Sequence, residues 1–309
     1  MSMVAVETSS PFHSHRSASR ILHDPLPGTG YQAQRRLGGG ATSEVFEAIG
    51  PGRERCAVKV LRAVFADTPD AVFRLEQEAR ALSALDHPSL LPVLDVGTTA
   101  TGRPFFAMPL IEGETVKDRL ARSGPMAQAE ACAVMREALE ALDVAHRAGV
   151  VHRDVKPANL FLPYGASGPA VRCVLLDFGV AKLLASPERL TTDARIVGTP
   201  RYLAPEQILG GRVDARTDVY AAGLTLFEMI AGRGPFAATG PIDLMCVRLT
   251  ESGRRLRELA PVPAELDHAV TRAIARSPAR RWPSARAFAA VLERAPQGAT
   301  ASVEQEAAQ

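Results

Sequence analysis

The octapeptide His152-Arg153-Asp154-Val155-Lys156-Pro157-Ala158-Asn159 constrains this chain more than any other stretch. An aspartate can orient a hydroxyl and accept its proton, a lysine two positions on can steady a transferring phosphoryl group, and an asparagine three further can hold a magnesium ion. Eighteen residues after Asn159, past an expected hairpin, Asp177 in Leu176-Asp177-Phe178-Gly179 offers a hard oxygen ligand of the kind magnesium prefers.

A second constellation lies upstream. Leu37-Gly38-Gly39-Gly40-Ala41-Thr42-Ser43-Glu44-Val45 sits between two strand-like runs, where glycines let a backbone approach a phosphate and present its amides; the same glycines also suit a plain hairpin turn. Cys56-Ala57-Val58-Lys59-Val60 alternates as a strand, and a strand lysine is ordinarily solvated. The next segment reads as a helix opening at Thr68 as its cap, with Pro69 and Asp70 in the first turn, and running to about Leu85. On it Leu75, Glu78, Ala79, Leu82 and Leu85 share one face, which places a carboxylate inside an apolar stripe. Glu78 then either pairs with a cation on the sheet, for which Lys59 is the candidate, or reaches water at the stripe's edge.

Lysine usage speaks for the first reading. Of 36 cationic residues only four are lysine, at 59, 117, 156 and 182. Random scatter would put lysine at both 59 and 156 about once in a hundred. Ammonium is a compact point charge and guanidinium a planar fork, so the two positions select for charge geometry.

The 309 residues carry a formal charge of +2, with 46% hydrophobic and 23% charged residues, which suits a soluble globular chain and argues against a nucleic-acid partner. The longest largely apolar window, residues 219–232, contains Glu228 and is too short to span a bilayer, so it reads as a buried helix and no integral membrane segment is expected. No apolar targeting stretch follows a basic start, and Cys56, Cys132, Cys173 and Cys246 lack metal-ligand spacing. They read as small buried hydrophobes in a reducing compartment, which places the chain in the cytoplasm.

Residues 1–30 and 294–309 read as disordered tails. Strand-like runs at 31–37, 44–49, 56–62, 90–96 and 104–108 give way to helical patterns such as Ala131, Val134, Met135, Ala138, Leu142 and Ala145, closed by Gly149. The expected class is α+β: a small β-rich lobe with one main helix (about 31–108), a linker (about 109–113) and a larger, mostly helical lobe (about 114–293).

In order, the glycine-rich loop, Ala57-Val58-Lys59, Glu78, His152 to Asn159, Asp177-Phe178-Gly179 and Ala204-Pro205-Glu206 make this sequence resemble the eukaryotic-like, bacterial-type serine/threonine protein kinases, over about residues 31–293. The resemblance implies the two-lobed kinase fold and transfer of the γ-phosphoryl group of ATP to protein Ser/Thr hydroxyls, with Mg2+, or Mn2+ in its place. Lys59 would contact the phosphates and pair with Glu78. Asp154 would be the base, Lys156 would stabilise the transferring group, and Asn159 and Asp177 would hold metal. Adenine would lie between Val45 and Ala57 above and Phe161 below, its edge on the hinge, where Met108 is the gatekeeper, Pro109 offers a carbonyl and Ile111 an amide. Lys156 and Thr199 fit Ser/Thr rather than Tyr specificity.

Arg153 would receive a phosphorylated residue of the activation loop, with Thr191 and Thr192 as phosphosites, modified by an upstream activator or a second copy in trans; Asp193 either supplies part of that negative charge or is an acidic residue of a solvated loop. Glu206, Asp218 and Arg281 match structural positions of the family. Two departures stand out: Pro109 where glutamate is commoner and lacks an amide, and Ser43 where the third glycine usually stands. A binding-only pseudokinase and a small-molecule phosphotransferase are the rival classes. Lys59, Asp154 and Asp177 argue against the first, and Ala204-Pro205-Glu206 against the second.

Overall fold

The computed structural model describes residues 6–8, 24–40, 42–165, 173–178 and 200–294. Ala41, Gly179, Lys182, Thr191, Thr192, Asp193 and Thr199 lie outside them.

Alternating apolar residues and tight turns build a five-stranded antiparallel sheet, in the order β2 (Gln32–Gly39), β3 (Ser43–Ile49), β4 (Arg55–Leu61), β6 (Pro104–Pro109) and β5 (Asp95–Thr98). Central β4 is buried along nearly its whole length, and its register sets Lys59 opposite Val45 on one side and Phe106 on the other. The helix expected from Thr68 is α1, Pro69–Ser83, with Thr68 at its cap position but no side-chain cap bond. Its apolar stripe of Leu75, Ala79 and Leu82 joins the core that includes Leu61 and Phe106.

Two expectations for this lobe are corrected. Residues 90–96 do not form one strand: Pro92 lacks an amide, only Leu90 bridges to Leu175, and β5 starts at Asp95. The first thirty residues are not wholly a disordered tail either. Leu26 is 1% exposed in a cluster with Tyr31, Phe46 and Phe105, the carbonyl of Pro25 accepts from the Arg103 guanidinium, and the backbone of β1 (Val6–Thr8) pairs in parallel with residues 111–113.

After the hinge, β7 (Ile111–Thr115) leads into α2 (Val116–Ser123) and α3 (Gln128–Arg147), whose buried face carries the 131–145 pattern. β8 (Leu160–Pro163) and β9 (Val174–Leu175) make the expected hairpin, and β8 also pairs with β7. Then follow α4 (Pro205–Ile208), α5 (Ala215–Ala231), α6 (Pro241–Thr250), α7 (Ala264–Ala273) and α8 (Ala285–Arg294). The apolar window at 219–232 is α5, buried on nearly every side and ended by Gly232 in the left-handed conformation. Among the described residues no helix is long and apolar enough to cross a membrane. Three of the cysteines are buried as expected, whereas Cys246 is exposed on α6.

Candidate active site

A cavity of about 320 Å³ separates the lobes. Leu37, Gly38, Gly39, Gly40, Ser43 and Val45 form its roof. Gly40 closes the turn by donating to the Ser43 carbonyl at 3.0 Å, and a Cβ on Gly39 would lie 2.7 Å from that same oxygen, so the close approach requires glycine. Glu44 instead pairs with Arg36 at 3.0 Å, and neither it nor Thr42 lines the cavity. Leu37, Val45 and Met108 line the cavity and pack in one apolar cluster with Ala57, Ile111 and Phe161, which are not among its lining residues. Pro109 pairs with Cys56 in the β4–β6 ladder.

At the back of the cavity Lys59 Nζ lies 2.7 Å from Glu78 Oε1 and 2.8 Å from Asp177 Oδ1. Glu78 thus pairs with the sheet, as its place in the apolar stripe requires. Burial works against the Lys59 ammonium, but Asp177 and Glu78 outweigh it and hold the group above the ordinary lysine range. The shared cation pulls the Asp177 carboxyl below its usual value, while burial pushes Glu78 up to about 7 against the pull of Lys59.

The His152 to Asn159 stretch is fixed from below. Asp218, fully buried in the first turn of α5, accepts from the amides of His152 (2.8 Å) and Arg153 (2.7 Å), and its Oδ2 lies 2.7 Å from His146 Nε2. This clamp holds Arg153 at φ 66°, an unfavourable conformation for a side-chain-bearing residue. His152 is buried and its pKa is lowered by that burial, so the neutral ring donates from Nε2 to the Leu176 carbonyl and accepts the Asp154 amide on Nδ1 at 3.2 Å. One imidazole therefore ties the Asp154 stretch to the Asp177 stretch. Lys156 Nζ lies 2.6 Å from Asp154 Oδ2, and Asn159 Nδ2 donates to the Asp154 carbonyl at 2.8 Å.

Deeper in the large lobe, Arg281 grips Glu206 with two bonds of 2.7 Å each, and Thr217 donates to the same carboxylate at 2.7 Å. Burial alone would raise Glu206; Arg281 and Thr217 hold it below the usual carboxylate range.

The fold thus assembles Lys59, Glu78, Asp154, Lys156, Asn159 and Asp177 around one cleft. Sequence reasoning missed Leu82, Leu91, Phe106, Thr115 and Leu175, which also line it. Thr115 had a signal: Thr115-Val116-Lys117-Asp118 is a helix-capping pattern, and the Thr115 hydroxyl oxygen accepts from the Asp118 amide.

A family model described as the protein kinase domain matches residues 31–289. The serine/threonine-protein kinase PknB of Mycobacterium leprae is 35% identical over 281 residues, which cover 87% of this chain and 43% of that protein. PknL of Mycobacterium bovis is 35% identical over 88% of this chain and 67% of its own length. The crystal structure of the Mycobacterium tuberculosis PknI kinase domain superposes with a TM-score of 0.68 at 31% identity, covering 89% of this chain and 99% of that one. The chain spans less than half the length of the PknB relatives it matches.

Proposed function

Because this chain belongs to the protein kinase domain family, we propose that it transfers the γ-phosphoryl group of ATP to serine and threonine hydroxyls of proteins. The convergence of Lys59, Asp154, Lys156, Asn159 and Asp177 on one cleft carries the proposal. Asp154 orients the acceptor hydroxyl and takes its proton as the oxygen bonds to the γ-phosphorus and the bond to the ADP oxygen breaks. Lys156 faces the charge that gathers on the transferred group, and Lys59, steadied by Glu78, faces the α- and β-phosphates. The apolar cluster between Val45 and Ala57 above and Phe161 below takes the adenine, with the Pro109 carbonyl and Ile111 amide at its edge.

The cleft is chemically suited to a divalent cation. Three carboxyl groups, Glu78, Asp154 and Asp177, face two ammonium groups, Lys59 and Lys156, and the Asn159 amide nitrogen is engaged with Asp154, which leaves its oxygen as a donor. Asp177 and Asn159 would hold Mg2+, or Mn2+ in its place, which when bound supplies positive charge to the phosphate oxygens.

The activation loop would carry its phosphate on Thr191 or Thr192 opposite Arg153, added by an upstream activator or by a second copy of the chain. The four free cysteines fit a cytoplasmic setting, where ATP is supplied. Incubation with Mg2+ and γ-labelled ATP beside an Asp154→Asn variant tests the reading. Label on Thr191 or Thr192, or on a Ser/Thr peptide pool, is expected only with the unmodified chain. ATP binding without transfer to any acceptor would overturn it in favour of a binding-only protein.

A further inference from the structure

Residues 200–204 run between the catalytic stretch and α4, and they are held from three helices. Tyr202 donates from its hydroxyl to Glu228 of α5 at 2.7 Å. Gln207 of α4 accepts the Ala204 amide at 2.9 Å and donates to the Arg153 carbonyl at 3.2 Å, one residue before Asp154. The third tie comes from α6, where Arg248 donates to the Leu203 carbonyl at 2.7 Å and the Arg201 carbonyl at 2.6 Å.

Arg248 is only 2% exposed, with its guanidinium 5.5 Å from the centre of the Phe236 ring. It forms part of the wall between two cavities of about 320 and 750 Å³. Burying a guanidinium is costly, and an apolar side chain of similar length would fill the space at less cost. What an apolar chain lacks is the planar fork that fixes two carbonyls at once. A continuous path therefore leads from α6 through Arg248, Leu203, Ala204 and Gln207 to the backbone at Arg153.

We infer that Arg248 is a positioning residue for the protein substrate: from α6 it fixes the carbonyls of Arg201 and Leu203, and so sets the segment that lays the acceptor hydroxyl against Asp154. The inference rests on the kinase reading above. Arg248 is not among the residues lining the cleft, so its loss strikes acceptor placement and spares nucleotide chemistry.

The test compares Arg248→Met and Arg248→Lys with the unmodified chain, using a Ser/Thr peptide pool as acceptor and, separately, slow ATP hydrolysis with water as acceptor. Misplacement of the acceptor by about 1 Å is expected to lower peptide kcat/KM by about 10- to 100-fold in Arg248→Met, chiefly through KM, with ATP affinity and hydrolysis within about twofold. Arg248→Lys keeps a buried cation but reaches one carbonyl, and an intermediate loss is expected; it carries the test if the methionine variant does not fold. Unchanged peptide KM in the lysine variant, or equal losses of peptide transfer and ATP hydrolysis, would overturn the inference. A complete lack of transfer by the unmodified chain would strike the kinase reading instead.

Discussion

Two glutamates of this protein are each buried against a cation, and the surroundings drive them in opposite directions. Glu78 meets Lys59 through one bond in the cleft, and Lys59 is shared with Asp177, whose side chain is 55% exposed. Glu206 meets Arg281 through two bonds, with Thr217 as a third donor and the carbonyls of Ala275, Arg216 and Arg276 saturating the guanidinium. Burial raises both carboxyls; only the dedicated partner overcomes it, so Glu78 rises to about 7 while Glu206 falls below its ordinary value. A shared cation leaves charge to be completed by what the cleft binds. A dedicated one closes the account and serves only to hold the lobe together.

Activity should separate the two regions most strongly. Asp154→Asn in the cleft is expected to lower phosphoryl transfer by about 10²- to 10⁴-fold with an unchanged melting curve, measured with labelled ATP and calorimetry. Arg281→Met should do the reverse in kind. It strands a buried carboxylate and is expected to cost about 3–5 kcal/mol of unfolding free energy in a urea titration, with activity lost only as the lobe unfolds. A melting loss in the first variant as large as in the second would erase the contrast.

The pH dependence sharpens it further. Glu78 has its folded pKa raised from 4.5 to about 7, so its contribution to stability is fully present below 4.5 and is lost as pH rises through 7. Glu206 has a lowered folded pKa, so its contribution is present above 4.5 and is lost as pH falls through the folded value. Glu78→Gln should therefore flatten the stability profile between pH 5 and 8, and Glu206→Gln should flatten its acid limb below about pH 4.5. His152 adds a separate decline, because its lowered pKa favours the neutral ring and the unfolded chain gains a proton below about 6.5. The smallest effect belongs to the hinge: Pro109→Ala restores an amide that the proposed adenine site does not use, and KM for ATP is expected to stay within about twofold.

Much of the cleft was legible in the sequence because its chemistry is written in residue types that have no substitutes. Scarce lysines at 59 and 156, a glutamate in an apolar stripe and an aspartate followed by asparagine each demand a particular partner. The β4 register and the α1 periodicity then leave Lys59 and Glu78 little choice but to meet. The interval at 90–96 was misread because apolar composition outweighed Pro92, and Leu26 was missed because one buried residue in a Pro/Gly-rich stretch carries no periodic signal.

By itself the sequence determined the order of the motifs and the chemical character of the cleft, since these depend on local periodicity and on the charge and geometry of individual side chains. The tertiary structure alone decided that His152 bridges Asp154 to Leu176, that Asp218 clamps the backbone at His152 and Arg153 and that Arg248 reaches the carbonyls of Arg201 and Leu203. Most of those bonds join groups 24 to 66 residues apart, and apart from the imidazole–Asp154 contact their acceptors are a distant carboxylate or main-chain carbonyls. Every residue carries a main-chain carbonyl, so which one a side chain finds is fixed only when the helices have packed.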